Sequence, residues 1–417
     1  VVNSKPRLRI AVIGGGAAGY FGAIAAAEKN RDAAVTLFEA TASPLDKVRI
    51  SGGGRCNVTH ACFDPKLLAD SYPRGGRELI GPFNRFQPSD TVDWFLKRGV
   101  QLKREDDGRM FPTTDSSDTI ITCLKKSASN AGVITKLQSR VLNVARSESD
   151  EDRAGFEVRS SDEEARPFDR ILLATGSSPQ GYRIAGSLGH NITPLAPSLF
   201  TFKIRDPRLE GLSGVSFKEA ALTMQAGEAS FSQSGPVLIT HWGLSGPAVL
   251  KLSARGARSL KEAGYKASLR INWLLDKTSE EAIDLLNILR RDNPKKAIRS
   301  IAPDEIPKRF WERIVGNAGI SDDITWANAT RRNLQDLAAC LTHDDYHIMG
   351  KGIFKEEFVT CGGVDLREID FKTMQSKVQP GLFFAGEILD IDGITGGFNF
   401  QAAWTTGWIA GQHIADQ

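Results

Sequence analysis

The sequence predicts an α/β fold: a Rossmann-like nucleotide-binding domain interrupted by an inserted domain that is first β-rich and then helical. Three observations predict it. An apolar strand at 8–13 runs directly into a glycine turn and an alanine-rich helix over 17–29. From about residue 196 the pattern turns to short glycine-punctuated strands, and from 276 to 345 to a charge-rich helical stretch. A buried strand at 382–385 and a helix over about 398–414 then resume the first pattern. The first domain is therefore read as 1–195 with 346–417, and the insert as 196–345, divided at 275/276. A chain of 417 residues has room for two or three domains at about 150 residues each.

Taken in order, Leu8-Arg-Ile-Ala-Val-Ile13 and Gly14-Gly-Gly16-Ala-Ala-Gly19 form the dinucleotide fingerprint in the strand-to-helix context it requires. Gly14 permits the tight turn, Gly16 lets backbone approach a pyrophosphate, and Gly19 lets the helix sit close on the sheet. Ala17 and Ala18 open that helix, whose first N–H groups and positive dipole end favour phosphate. The next strand, 34–38, ends in Glu39, twenty residues after Gly19, where a carboxylate accepts from adenosine ribose hydroxyls. Strand, helix and acid together make a strong signal from a motif that is weak alone.

The fingerprint does not separate NAD from FAD; the segments after it do. Lys47 and the run Ser51, Gly52, Gly53, Gly54, Arg55, Cys56, Asn57 supply a second glycine loop, where FAD enzymes bring backbone up to the isoalloxazine. A helix near 117–130 and strands near 133–138, 141–147 (opening on Val141), 154–160 and 168–174 follow. The last of these ends in the turn Ala174, Thr175, Gly176. Pro380-Gly-Leu-Phe-Phe-Ala-Gly386-Glu387 reads as a buried strand ending in a carboxylate suited to ribityl hydroxyls. Gly396, Gly397, Phe398 and Asn399 open the final helix, whose N-terminus stabilises negative charge on a reduced flavin. FAD is the expected cofactor.

With these residues in place the sequence resembles a known family, the flavoproteins described as BaiN-like or aminoacetone-oxidase-type NAD(P)/FAD-dependent oxidoreductases. The resemblance covers nearly the whole chain. It is most specific at Ile50–Thr59, Thr240-His-Trp-Gly-Leu-Ser-Gly-Pro247, Thr360-Cys-Gly-Gly-Val364 with Lys372–Lys377, and Gly386–Gly393. It implies a glutathione-reductase-type FAD domain holding FAD noncovalently, and NAD(P)H-linked reduction of an unsaturated or carbonyl-conjugated small organic substrate by hydride through flavin N5. Arg55, His241 and Thr360 are the catalytic candidates, on a substrate site expected between the domains. The turn Gly176–Gly181 departs from the family in being shorter.

Composition narrows the rest. Lys and Arg number 53 against 50 Asp and Glu, a net +3, so no single-sign field drives nucleic-acid binding. The alternative of a flavin-carrying RNA- or protein-binding redox protein rests on Arg290, Arg291, Lys295, Lys296, Arg299 and Lys308. Asp292, Asp304 and Glu305 interrupt that series, which favours a solvated helical face. Five scattered cysteines make no disulfide framework and fit a reducing, cytoplasmic-type compartment. A dithiol–disulfide reductase using Cys56 and Cys62 is a rival, but five intervening residues are the wrong spacing, and packed thiols are the better reading. His343 and His347 stand at helical spacing without further ligands, so no metal is expected. The charge-free stretches 10–27 and 393–414 are long enough for membrane spans, yet glycines and polar residues mark them as helices buried in protein. The acidic run at 148–152 reads as a hairpin loop. Oligomeric state is not encoded in any of these patterns.

Overall fold

The computed structural model describes residues 7–147, 155–352 and 359–416; the acidic run at 148–152 lies outside them. The chain divides into two units, residues 1–195 with 359–417, and residues 196–358.

The first unit is built on a seven-stranded sheet. In order across it lie Ile369–Asp370, Gln375–Ser376, Leu382–Phe384, Arg170–Leu173, Arg9–Ile13, Ala34–Phe38 and Ile134–Lys136. The five from Leu382–Phe384 onward pair in parallel, and the first two close one edge antiparallel. Continuous apolar runs such as Ile10–Ile13 and Ile171–Leu173 suit central strands covered on both faces, and these residues are buried. The chain leaves Arg9–Ile13 for a neighbour on one side, while Arg170–Leu173 joins on the other. That reversal creates a crevice at the carboxyl ends of the strands, where open α/β sheets bind ligands.

The first helix, Ala17–Lys29, lies against the last, Phe398–Ile414, and glycine sets how close they come. A Cβ on Gly407 would stand 2.7 Å from the Ala18 carbonyl oxygen, and one on Gly411 2.5 Å from that of Gly22. Both helices are buried on nearly every side, which accounts for the two charge-free stretches. Gln401, fully buried, accepts from Thr59 Oγ1 at 2.6 Å and Thr91 Oγ1 at 2.9 Å and donates to Thr405 Oγ1 at 3.0 Å. Among the described residues no helix is long and apolar enough to cross a membrane.

Three short helices between Asn57 and the helix Ser117–Asn130 escape the periodicity reading: Pro65–Ala69, Gly76–Phe83 and Pro88–Leu96. Their start signals are local. Asp64 caps Lys66 and Leu67 ahead of Pro65, and Gln87 with Asp90 forms a capping box around Pro88.

The second unit carries its own core on a seven-stranded sheet ordered Asp344–Ile348, Ala267–Asn272, Ser216–Ala226, Ala229–Thr240, Gly243–Ser245, Phe202–Lys203, Gly350–Lys351. Two long strands replace the expected short ones. Gly227, at φ +60°, makes their turn, and Gly235, paired with Ala220, borders a register shift between Phe217 and Ala220 in which the extra residue lies on the Ser216–Ala226 strand. Asp344–Ile348 pairs with Ala267–Asn272. The insert therefore extends past the boundary expected at 345, and His343 and His347 are not on one helix: the first caps Arg331–Thr342 and the second lies in the strand.

Candidate cofactor and active site

At the end of strand Arg9–Ile13 the Gly14 N–H donates to Phe38 O at 2.9 Å and the chain turns at φ +109°. A Cβ on Gly14 would lie 2.5 Å from Ala174 O, and one on Gly19 1.9 Å from Gly14 O. Both positions are closed to any side chain by backbone. Gly16 is the opposite case: its φ of −88° is ordinary, and a Cβ there meets no atom within 4 Å. Its backbone faces room for a ligand at a helix N-terminus. Ala18 packs beneath Gly386, whose Cβ would be 2.8 Å from the Ala18 methyl.

Glu39 is half-buried. It accepts from Gly15 N at 2.8 Å, Thr41 N at 2.8 Å and Thr41 Oγ1 at 2.9 Å. These three bonds orient a carboxylate with about four acceptor positions. The Ser139 N–H donates to Glu39 O at 2.8 Å, which brings residues 139–141 beside the acid. The Val141 side chain turns into the core, so it offers no side-chain contact to a ligand.

The second glycine loop ends the helix Asp46–Gly54, which breaks at Ser51 (ψ 149°), Gly52 (φ +58°) and Gly53 (φ +69°). Cβ atoms on Gly53 and Gly54 would meet no atom within 4 Å. Asn57 ties this loop to the last helix. With its amide oriented to satisfy both ends, the oxygen accepts from Gly397 N and the nitrogen donates to Thr59 O, each at 3.0 Å. Asn399 closes the preceding turn by bonding Gly393 N and O at 2.8 and 2.9 Å. Phe398 stacks on His60 at 4.7 Å between ring centres. The side chains of Asn57, Phe398 and Asn399 thus build the frame, leaving backbone N–H groups for a ligand.

Glu387 lies where three predicted segments converge. Its Oε2 accepts from Lys47 Nζ at 2.5 Å and its Oε1 from Thr360 N at 3.0 Å. A Cβ on Gly176 would stand 3.6 Å from Oε2. Lys47 also donates to Ser177 Oγ at 3.2 Å, and the Gly386 N–H to Thr406 Oγ1 at 2.9 Å. Sequence reasoning assigned no role to Asp390, which is buried and accepts from Gly362 N at 3.1 Å. It also missed Tyr182. Burial first, then the Glu387 and Asp390 carboxylates, push that phenol well above its usual range, so it stays a protonated donor. Tyr182 OH and Thr175 Oγ1 are both buried without a hydrogen-bond partner among the described residues. Buried hydroxyls are normally satisfied; beside an acid and a glycine turn, these two fit a hydroxyl-rich ligand chain. The glycine cradle, Glu39 and this cluster fit FAD.

Arg55 is bound to Glu105 at 2.7 Å and lies 3.6 Å from Asp115, with its guanidinium 3.9 Å over the Phe111 ring. Its charge is neutralised where it stands, and we assign it no chemical step. His241 belongs to the second unit, at an exposed hairpin end, with Nδ1 3.1 Å from Ser213 Oγ and its ring 4.3 Å from that of Trp242. All five cysteines are free. Burial pushes the Cys56 thiol up to about 12 and raises that of Cys62, so neither is a ready thiolate at neutral pH. Cys56→Ser and Cys62→Ser are each expected to keep flavin reduction and turnover within about tenfold, equivalent to about 1.4 kcal/mol in the barrier. Stopped-flow absorbance checks this: a long-wavelength charge-transfer band that vanishes in either variant would restore the dithiol mechanism.

The family model described as HI0933-like protein Rossmann domain matches residues 8–413. The chain is similar to a ribosomal RNA dihydrouridine synthase of Escherichia coli, 31% identical over 97% of both chains. It is also similar to a 3-dehydro-bile acid delta(4,6)-reductase of Clostridium scindens, 27% identical over 98% of this chain and 99% of that one. A solved 3-ketosteroid delta1-dehydrogenase from Sterolibacterium denitrificans is 11% identical, covers 97% of this chain and 99% of its own, and has a TM-score of 0.51, a likeness of fold.

Proposed function

We propose, from the premise that the chain belongs to the HI0933-like Rossmann-domain family and is an FAD-dependent oxidoreductase, that it reduces a carbon–carbon double bond conjugated to a carbonyl, with reduced nicotinamide as electron source. One observation carries this reading: two relatives matched over almost their full length are named for saturating such a bond, one in a uracil ring and one in an oxo-steroid acid. An electron-poor double bond is what a hydride donor attacks, because the carbonyl oxygen takes up the negative charge.

When bound, FAD supplies the two-electron chemistry, and the protein supplies binding, orientation and exclusion of water. Gly14, Gly16 and Gly19 shape the pyrophosphate cradle, and Glu39 reads the adenosine ribose. Glu387, fixed by Lys47 and the Thr360 N–H, holds the ribityl hydroxyls with Tyr182 and Thr175. The first-turn N–H groups of Phe398–Ile414 favour negative charge on the ring system. The Thr360 hydroxyl is proposed to donate to the substrate carbonyl as charge develops there.

The test is anaerobic. FAD-loaded protein is titrated with NADH and NADPH separately, and the reduced form is mixed with a steroid 4-en-3-one, a uridine-containing RNA, and saturated analogues of each. Reoxidation by one conjugated acceptor, with two hydrogens gained in the product, is the expected result. Equal rates with conjugated and saturated compounds would overturn the reading.

A further inference from the structure

Within the first unit a groove of about 610 Å³ runs between the helix Gly76–Phe83 and the segment 366–377. Nothing in the FAD site uses it. Five cationic side chains line it against two carboxylates, Glu78 and Asp370, an excess equal to the +3 of the whole chain. Arg77 and Arg85 stand on one wall; Arg367, Lys372 and Lys377 stand on the other.

Their states differ in a way that bears on ligand binding. Arg367 is paired in bidentate fashion with Asp365, so its charge is largely met. Arg85 is held by the Lys372 carbonyl and by His413, and Lys377 by the Arg367 carbonyl at 3.0 Å. These bonds fix position without cancelling charge. Asp370 is partly engaged, accepting from Lys372 N at 2.9 Å. Arg77 and Lys372 are exposed, and neither side chain has an ion-pair partner among the described residues. The lining also includes half-buried Phe371 and Leu366, an aromatic ring and an aliphatic side chain within a basic cleft.

We propose that this groove binds a nucleotide, its phosphates between the two basic walls and its flat ring against Phe371. Guanidinium and ammonium groups on facing walls match a phosphate approached from both sides, and ring stacking on an aromatic supplies the sequence-tolerant part of nucleotide affinity. The volume lies within the range of about 300–1,000 Å³ usual for small-ligand sites. The same chemistry is offered by a free dinucleotide and by a nucleotide within an RNA strand.

Binding is measured calorimetrically on oxidised, FAD-loaded protein, so the result does not depend on which acceptor is reduced. The probes are NADP+ and NAD+, which cannot reduce the flavin, inorganic pyrophosphate and a twelve-residue single-stranded RNA, each at two salt concentrations. At least one nucleotide probe is expected to bind more weakly at high salt, and to lose tenfold or more in affinity in Arg77→Glu/Lys372→Glu. Phe371→Leu should weaken nucleotides without changing pyrophosphate. Tight binding of NADP+ or NAD+ without RNA assigns the groove to a free dinucleotide, and tight binding of RNA alone to a strand. Absence of binding by every probe below 1 mM, or affinities unchanged within twofold in the double variant of unchanged flavin content, overturns the proposal.

Discussion

Gly16→Val is expected to give a folded, colourless protein. The backbone there, at φ −88° and ψ −169°, is extended, a conformation a β-branched residue adopts without strain. A Cβ would meet no protein atom within 4 Å. Loss of glycine at this helix N-cap costs at most about 1 kcal/mol, or roughly 2–4 °C in Tm for a unit of this size. The isopropyl group would instead occupy the space through which backbone approaches the pyrophosphate. FAD affinity is expected to fall at least a hundredfold, which is about 2.7 kcal/mol. Gly14→Ala should behave differently. At φ +109° and with a Cβ 2.5 Å from Ala174 O, it is expected to damage folding itself. Flavin absorbance per chain, read beside the thermal midpoint of the apoprotein, separates the two. A yellow Gly16→Val protein with parental affinity would remove the cradle from that turn.

The contrast between these glycines shows what the sequence could and could not disclose. The strand, turn, helix and acid at 8–39 are local, and each rule that reads them acts over a few residues, so the cradle and Glu39 were legible. So were the loop at 51–57 and the Gly386-Glu387 turn, because glycine marks backbone that no other residue can follow. What joins them was not legible. Asn57 reaches Gly397 and Lys47 reaches Glu387 across 340 residues; neither pairing leaves a periodic trace. Tyr182 and Asp390 look like ordinary core and turn residues in the sequence, and only the fold brings the Tyr182 phenol near the Glu387 and Asp390 carboxylates. Phe398 and Asn399 read in the sequence only as opening the last helix, and what their side chains do was not legible either: one packs in the core and the other closes its own turn.

The second large effect is expected at Arg74, a residue outside every motif read from the sequence. Its guanidinium forms a bidentate pair with Asp392, whose side chain is 0% exposed against 11% for Arg74. Arg74 and Asp392 also share a backbone bridge, and Gly75, at φ +74°, leaves no room for a Cβ beside Ile391. The pair fastens the segment entering the Gly393–Phe398 turn to the helix Gly76–Phe83. Replacing a buried ion pair with apolar groups is often neutral, whereas removing one partner strands a charge and costs about 3–5 kcal/mol. Arg74→Ala is therefore expected to lower Tm by roughly 6–20 °C, with flavin lost below that temperature because the turn carrying Gly396 and Gly397 loses its anchor. Arg74→Met/Asp392→Leu should regain most of the stability, since no charge remains to be buried. Thermal unfolding of both apoproteins, followed by circular dichroism, gives the answer. If the single variant is as stable as the double, the carboxylate finds water when Arg74 is gone, and the last helix is held in place by its packing on Ala17–Lys29 and by the Gln401 and Asn57 hydrogen bonds.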